Sequence, residues 1–184
     1  MKVKSALVAI VAACIILSLS TGATVAYLAS RTSTLENIFT YGNVSITLAE
    51  SAATQYLILP GSDIPKDPTV TVRAGSEDCW LFFKAEKTSD FDRYMTYTPA
   101  EGWTALPGET GVYYRRVDAT AEDLSFPLME GNKVTVRDTL TEEELRAVSV
   151  LPKLTFTAYA IQQEQIVSPE TAWAYLQQEG SGSA

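Results

Sequence analysis

The sequence predicts an all-β protein: an antiparallel β-sandwich with one or two short helices, preceded by a signal peptide. Three observations lead there. Short apolar–polar alternations recur at intervals of about 8–15 residues, separated by turn residues. Aromatic residues are frequent (9 Tyr, 6 Phe, 3 Trp), which favours strands as the means of filling a core. The first residues carry the charge and hydropathy order of an export signal.

That signal comes first in the chain. Lys2 and Lys4 are followed by no charged residue until Arg31, and 6–19 is nearly unbroken Ala, Val, Ile and Leu before the small and polar 18–24. The apolar block is short of the roughly 20 residues that span a bilayer, so residues 1–26 read as a cleaved signal peptide; an uncleaved anchor recruiting 21–28 is the alternative. The small-residue rule places the cut after Ala26, within Thr24-Val25-Ala26-Tyr27. Val11-Ala12-Ala13-Cys14 resembles a lipid-attachment signal. Cys14 lies inside the apolar run instead of closing it, so the match is taken as accidental.

The strands follow in order. Over 43–48, Val44, Ile46 and Leu48 alternate with Asn43, Ser45 and Thr47, a half-buried strand of period two. Residues 56–59 are apolar and end at the turn pair Pro60-Gly61. Over 69–73, Val70 and Val72 face inward. Over 79–87, Cys79, Leu81, Phe83 and Ala85 share one face, and Trp80, Phe82, Lys84 and Glu86 the other. Weaker strands are expected at 94–98, 111–117, 124–127 and 133–136, and a strong one at 154–161. Two helices interrupt the pattern. Thr141 with Glu144 forms a capping box ahead of Leu145 and Val148, ending by Pro152. Ser168 caps a second helix, with Pro169 at its first position and Ala172, Trp173 and Leu176 on one face. Residues 27–179 therefore read as one domain, and 180–184 as a flexible tail.

Composition removes several function classes. The chain carries 14 Lys+Arg against 22 Asp+Glu, a net of −8; without Lys2 and Lys4 the balance is 12 against 22, or −10. Such a surface repels nucleic acid, and no basic cluster provides an exception. There is no histidine, so the commonest zinc ligand, general base and pH switch are all missing. Cys79 would be the one cysteine of the mature chain; with no histidine to activate it, its phase with Leu81 and Phe83 marks it as a core residue. No catalytic residues, cofactor or metal ligands are assigned. Carboxylates at Asp63/Asp67 or Asp90/Asp92 are the only candidate calcium oxygens, and acidic loop residues are more often solvated turn formers. Trp80 and Phe82 with Tyr113 and Tyr114 are a candidate carbohydrate platform, against the more ordinary role of core aromatics.

Three groups of residues carry a resemblance to a known family. They are Gly22-Ala23-Thr24-Val25-Ala26-Tyr27-Leu28 with Asn37-Ile38-Phe39-Thr40 and Gly42-Asn43-Val44-Ser45-Ile46-Thr47-Leu48; Leu59-Pro60-Gly61 through Lys66-Asp67-Pro68-Thr69-Val70; and Phe156-Thr157-Ala158-Tyr159-Ala160-Ile161-Gln162 with Ala172-Trp173. Together these resemble the TasA/camelysin family of secreted bacterial proteins, whose leaders are cut by the signal peptidase SipW. The likeness covers roughly residues 1–75 and 153–176. The family's Asn-x-Gly after the Val70 strand is replaced here by Arg73-Ala74-Gly75. The resemblance implies a jelly-roll sandwich. It also implies fibre assembly by donation of an N-terminal strand to the next subunit, and cleavage just before Phe or Leu, here after Tyr27. The cut thus lies between Ala26 and Leu28.

A secreted or cell-surface structural protein, a fibre or biofilm-matrix subunit that is not an enzyme, is the function expected. Its partners would be further copies of itself or a related matrix protein, with a signal peptidase during export, no nucleic acid and no lasting membrane insertion. Within the candidate donor segment 27–43, Leu35, Ile38, Phe39 and Tyr41 are the candidate assembly residues; the same segment is equally able to pair in its own subunit. The alternative function is a monomeric surface module that binds glycan or protein. A metallopeptidase, described for the camelysin branch, comes third because no histidine is available to it.

Overall fold

The longest alternating segments of the sequence become the two longest strands, and the rest of the fold is arranged around them. A computed structural model of the chain describes residues 38–51, 59–146, 148, 152–164 and 166–180. The strands are β1 (Ile38–Tyr41), β2 (Ile46–Ala49), β3 (Asp63–Pro65), β4 (Thr69–Val72), β5 (Cys79–Lys87), β6 (Met95–Thr96), β7 (Thr104–Ala105), β8 (Val112–Val117), β9 (Leu124–Pro127), β10 (Lys133–Val136) and β11 (Leu154–Gln162). The helices are α1 (Phe91–Tyr94), α2 (Glu142–Arg146) and α3 (Pro169–Gly180). The class is all-β, with few and short helices.

The strands form a five-stranded sheet, β1-β11-β5-β8-β7, and two three-stranded sheets, β3-β10-β6 and β2-β4-β9. At the centre of the large sheet β5 and β11 pair antiparallel along their whole nine-residue length, from Leu154↔Lys87 to Gln162↔Cys79. Period-two geometry sends Cys79, Leu81, Phe83 and Ala85 of β5, with Phe156, Ala158 and Ala160 of β11, to one face. There they share a core with Val44, Ile46, Leu48, Val70 and Val72 around the β2-β4-β9 sheet, and with Met95, Val134 and Val136 of the other small sheet. The opposite face carries Phe82, Val112 and Ile161, and α3 covers it with Ala172, Trp173 and Leu176. The centre of the large sheet is therefore buried on both faces. This explains why β5 reads Cys-Trp-Leu-Phe-Phe without a polar break.

Most predicted elements appear where the sequence places them, and the differences have physical causes. The alternation over 43–48 is paired only from Ile46. Asn43–Ser45 instead carry the chain across from the large sheet to the small one, with Glu77 N–H donating to the Asn43 carbonyl and Arg73 N–H to that of Ser45. The strand expected at 94–98 shrinks to the two residues of β6, because Phe91 is buried and anchors the turn of helix α1 immediately before it. The capping box ahead of α2 is present in both directions. Glu144 Oε2 accepts from Thr141 N–H at 2.9 Å, and Thr141 Oγ1 accepts from Glu144 N–H at 3.2 Å. Ser168 Oγ accepts from Thr171 N–H at 3.3 Å, as an N-cap should, and α3 continues through Gly180, one residue into the expected tail. Strands β3 and β7 and helix α1 are additions too short for any periodicity to announce. Among the described residues, no helix is long and apolar enough to cross a membrane.

Among the described residues, all strand pairs are antiparallel except one: β1 runs parallel to β11. Adjacent parallel strands need a long crossover, and here almost the whole domain lies between the first strand and the last. The signal-peptide residues Thr24, Val25, Ala26 and Tyr27 lie outside the described residues.

The helix cover generates a stability prediction. Trp173 is only 4% exposed and packs on Phe82 (ring centroids 5.4 Å apart) and edge-on to Tyr159 (4.9 Å). Trp173→Ala should cost about 3–5 kcal/mol in a denaturant titration. Tyr175→Ala, on the same helix but 52% exposed, should stay within about 0.5 kcal/mol of the parent. Equal effects at the two positions would mean that α3 is not docked through Trp173.

Candidate assembly edge

The candidate assembly residues fall on the least integrated strand of the large sheet. Leu35 lies outside the described residues; Ile38, Phe39 and Tyr41 form β1 with Thr40. The strand lies along β11 in the register Ile38↔Ala158, Phe39↔Tyr159, Thr40↔Ala160 and Tyr41↔Ile161. Ile38 packs partly into the main core, while Phe39 and Tyr41 remain 46% and 56% exposed. Phe39 lies flat on Tyr159, with centroids 5.1 Å apart and 13° between the planes. Tyr159 in turn meets the edge of Trp173, so an aromatic run leads from the sheet edge to the helix cover. Burial between these groups pushes the Tyr159 phenol above its ordinary value, so it remains a neutral ring at physiological pH.

One end of β1 is held by a tight crossing. Gly42 has φ +84, and a Cβ there would lie 2.7 Å from both Cβ and Oε1 of Gln162. Gln162, the last residue of β11, uses that Oε1 to accept from Asn43 N–H at 3.0 Å. The backbone thus passes against the Gln162 side chain, and only glycine has both the conformation and the clearance. The uncharged run Ile-Phe-Thr-Tyr before Gly-Asn was a legible sign of an edge strand followed by a turn. Gln162 gave no sign of its own, because its role depends on a partner 119 residues away.

The other candidates resolve differently. Cys79 is fully buried, and desolvation first, with the neighbouring Asp78 charge second, pushes its thiol up to about 12. It is a core residue and not a nucleophile. The four-aromatic platform is not assembled. Tyr113 points to the inner face against Phe83 (4.8 Å), whereas Trp80, Phe82 and Tyr114 belong to the opposite face beneath α3. Consecutive strand residues must diverge in this way. Asp63 is taken up by Lys133 Nζ (2.7 Å) and Thr135 Oγ1 (2.7 Å), Asp67 by the N–H and hydroxyl of Ser51, and Asp92 by Lys87. Hydrogen bonds from Lys133 hold the Asp63 carboxyl below the usual range, and those from Ser51 do so for Asp67. Among the described residues, no group of three or more His, Cys, Asp or Glu is placed to hold a metal ion.

Compared with known protein families, curated proteins and solved structures, the chain finds no match.

Two predictions follow from this geometry. A thiol reagent should label Cys79 only after denaturation. Since its folded pKa is raised, the stability tied to the protonated thiol is complete below the unfolded value and declines as pH rises toward about 12. The native chain should therefore lose stability from about pH 9 upward, more steeply than Cys79→Ala; parallel alkaline profiles, or rapid labelling of the native state, would contradict this assignment. At the crossing, Gly42→Ala should cost about 1–3 kcal/mol from its positive φ and the contact with Gln162. Gln162→Ala alone should cost about 0.5–1.5 kcal/mol. The glycine substitution should be somewhat milder in the Gln162→Ala background, which removes the Oε1 contact but keeps the Cβ one, and strict additivity in that double-mutant cycle would show that the Oε1 contact carries no strain.

Proposed function

We propose that the chain is an exported structural subunit of an extracellular fibre or matrix, a jelly-roll-like sandwich that assembles by passing β1 and the residues before it to the β11 edge of the next copy. The observation that carries this reading is the weak integration of β1. It is four residues long, parallel, open on its outer side and largely exposed, yet it lies against the buried centre of the large sheet. A neighbour's residues 38–41 would make the same contacts, so exchange changes little in contact energy and joins two subunits. No residue in Ile-Phe-Thr-Tyr-Gly is charged or proline, so the strand lacks the usual devices against edge pairing.

Export is supported by the basic and apolar leader, and the structural role by the resemblance to the TasA/camelysin family. On this reading the partners are further copies or a related matrix protein, with a signal peptidase acting once at 24–28. No catalytic chemistry is invoked.

Deletion of Ser30–Phe39 separates the possibilities. None of the fully buried core residues lies in β1, so the shortened chain should stay folded by circular dichroism and run as a monomer on size exclusion. The mature parent should form high-mass, heat-resistant assemblies, and a peptide spanning 30–43 should arrest their growth. A shortened chain that unfolds, or that still builds normal fibres, would rule out strand donation.

A further inference from the structure

A partly buried arginine on β8 stacks on aromatic rings and makes no ion pair with the described residues. Arg115 stands on the inward face of β8, where its guanidinium lies 3.9 Å from the Phe126 ring centroid and 5.4 Å from that of Trp103. Phe126 belongs to β9, the edge of the facing small sheet, and Trp103 precedes β7, the edge of the large one. Trp103 is fixed by its indole N–H, which donates to the Pro127 carbonyl at 2.9 Å. Both rings therefore flank the guanidinium, one at the edge of each sheet.

Among the other arginines whose side chains are described, Arg93 also makes no ion pair and lies 5.2 Å from the Tyr94 ring centroid, but the rest have polar partners. Arg73 pairs with Asp123 at 2.7 Å, Arg116 lies within 4 Å of Asp78 and Asp118, and Arg137 Nε donates to the Asp92 carbonyl. None of the ion pairs among the described residues includes Arg115. Its Nε is buried without a hydrogen-bond partner, in a protein that otherwise leaves only Gln163 Oε1 and Trp173 Nε1 in that state among the described residues. Aromatic faces compensate part of a buried cation's lost hydration, but they accept no N–H hydrogen bonds in the guanidinium plane. Gly102, φ +85, lies against the guanidinium; a Cβ there would lie 3.4 Å from both Nη1 and Nη2 and 3.6 Å from Cζ. Glycine at this turn keeps a side chain from crowding the guanidinium.

We propose that Arg115 is a binding site for a single carboxylate, received by the Nη groups of its guanidinium with Trp103 and Phe126 beside them. The planar fork matches two carboxylate oxygens, and weakly hydrated guanidinium between rings favours that pairing over a lysine-like point contact. A single carboxylate is preferred to a phosphate or sulfate dianion because the chain already carries −8, and each further negative charge is repelled by that field. The site is independent of β1 and of assembly.

The test is an NMR titration of the ¹⁵N-labelled mature protein with sodium acetate and, separately, with a blocked aspartate dipeptide, each against sodium chloride at equal ionic strength. The Arg115 Nε–H signal, assigned by its disappearance in Arg115→Lys, should move saturably with carboxylate, together with the Gly102 amide and the Trp103 indole signal. Saturation by acetate would identify a free organic acid as sufficient, and saturation by the peptide alone would identify a peptide-borne carboxylate; either supports the site. In Arg115→Lys the Gly102 and Trp103 signals should no longer move. Should that variant fail to fold, Arg115 is assigned through the bonds and the parent titration decides. No movement, or the same drift in chloride, would overturn the proposal and leave Arg115 as packing between two rings.

Discussion

The antiparallel ladder of β5 on β11 is the constraint on which the rest of the structure depends. Nine consecutive residue pairs place Leu81, Phe82, Phe83, Ala158 and Ala160 where none is measurably exposed. A ladder with apolar groups on both faces has to be covered twice. The two small sheets and Leu128 and Met129 do so on one side, and α3 on the other. Burial of each large side chain contributes about 1.5–3 kcal/mol, so removing either cover would expose more than a domain's usual margin of stability. The chain needs no disulfide to hold this arrangement; its buried cysteine fills space beside Leu81 as a small apolar group.

From the same constraint follows the unusual position of β1. The ladder leaves β11 with one unpaired edge, and residues 38–41 fill it in the parallel direction. Little of β1 is buried, and the contacts that hold it are local: the Phe39–Tyr159 stack, the partial insertion of Ile38 and the Gly42–Gln162 crossing. The segments that carry the family resemblance converge on this place. Ile38–Thr40 and Gly42–Leu48 supply the strand and its crossing, Phe156–Gln162 is the edge that receives it, and Trp173 supports Tyr159 from behind. The Lys66-Asp67-Pro68 segment serves another purpose. Lys66 pairs with Glu50 at 2.6 Å and Asp67 with Ser51, which ties the entry of β4 to the end of β2.

What was legible in the sequence is what repeats with a short period. The faces of β2, β4 and β5, the places of β8, β10 and β11, the turn at Pro60-Gly61, both helix caps and the apolar stripe of α3 depend on neighbours within one or two turns of chain. Those are the interactions that propensity and periodicity encode. The direction and partner of β1 were not legible, because its pairing joins residues about 120 positions apart and no local pattern distinguishes a donated strand from a retained one. The aromatic residues of β8 show the same limit. Tyr113 and Tyr114 adjoin in sequence but face different cores, and only the presence of α3 makes both faces apolar. The Trp103–Arg115–Phe126 stack was equally hidden, since its three members come from separate elements and only one of them is charged.

Whether β11 is filled by its own chain or by a neighbour can be read from a covalent trap. Phe39 and Tyr159 are directly opposed in the parallel register, so cysteines at both positions in a Cys79→Ala background report which chain supplies the strand. In the isolated subunit, oxidation should give a disulfide within one chain. In assembled material it should give chains linked to one another in a ladder on non-reducing gels. A within-chain disulfide in both materials would contradict strand donation, and failure to form any disulfide would contradict the β1–β11 pairing itself.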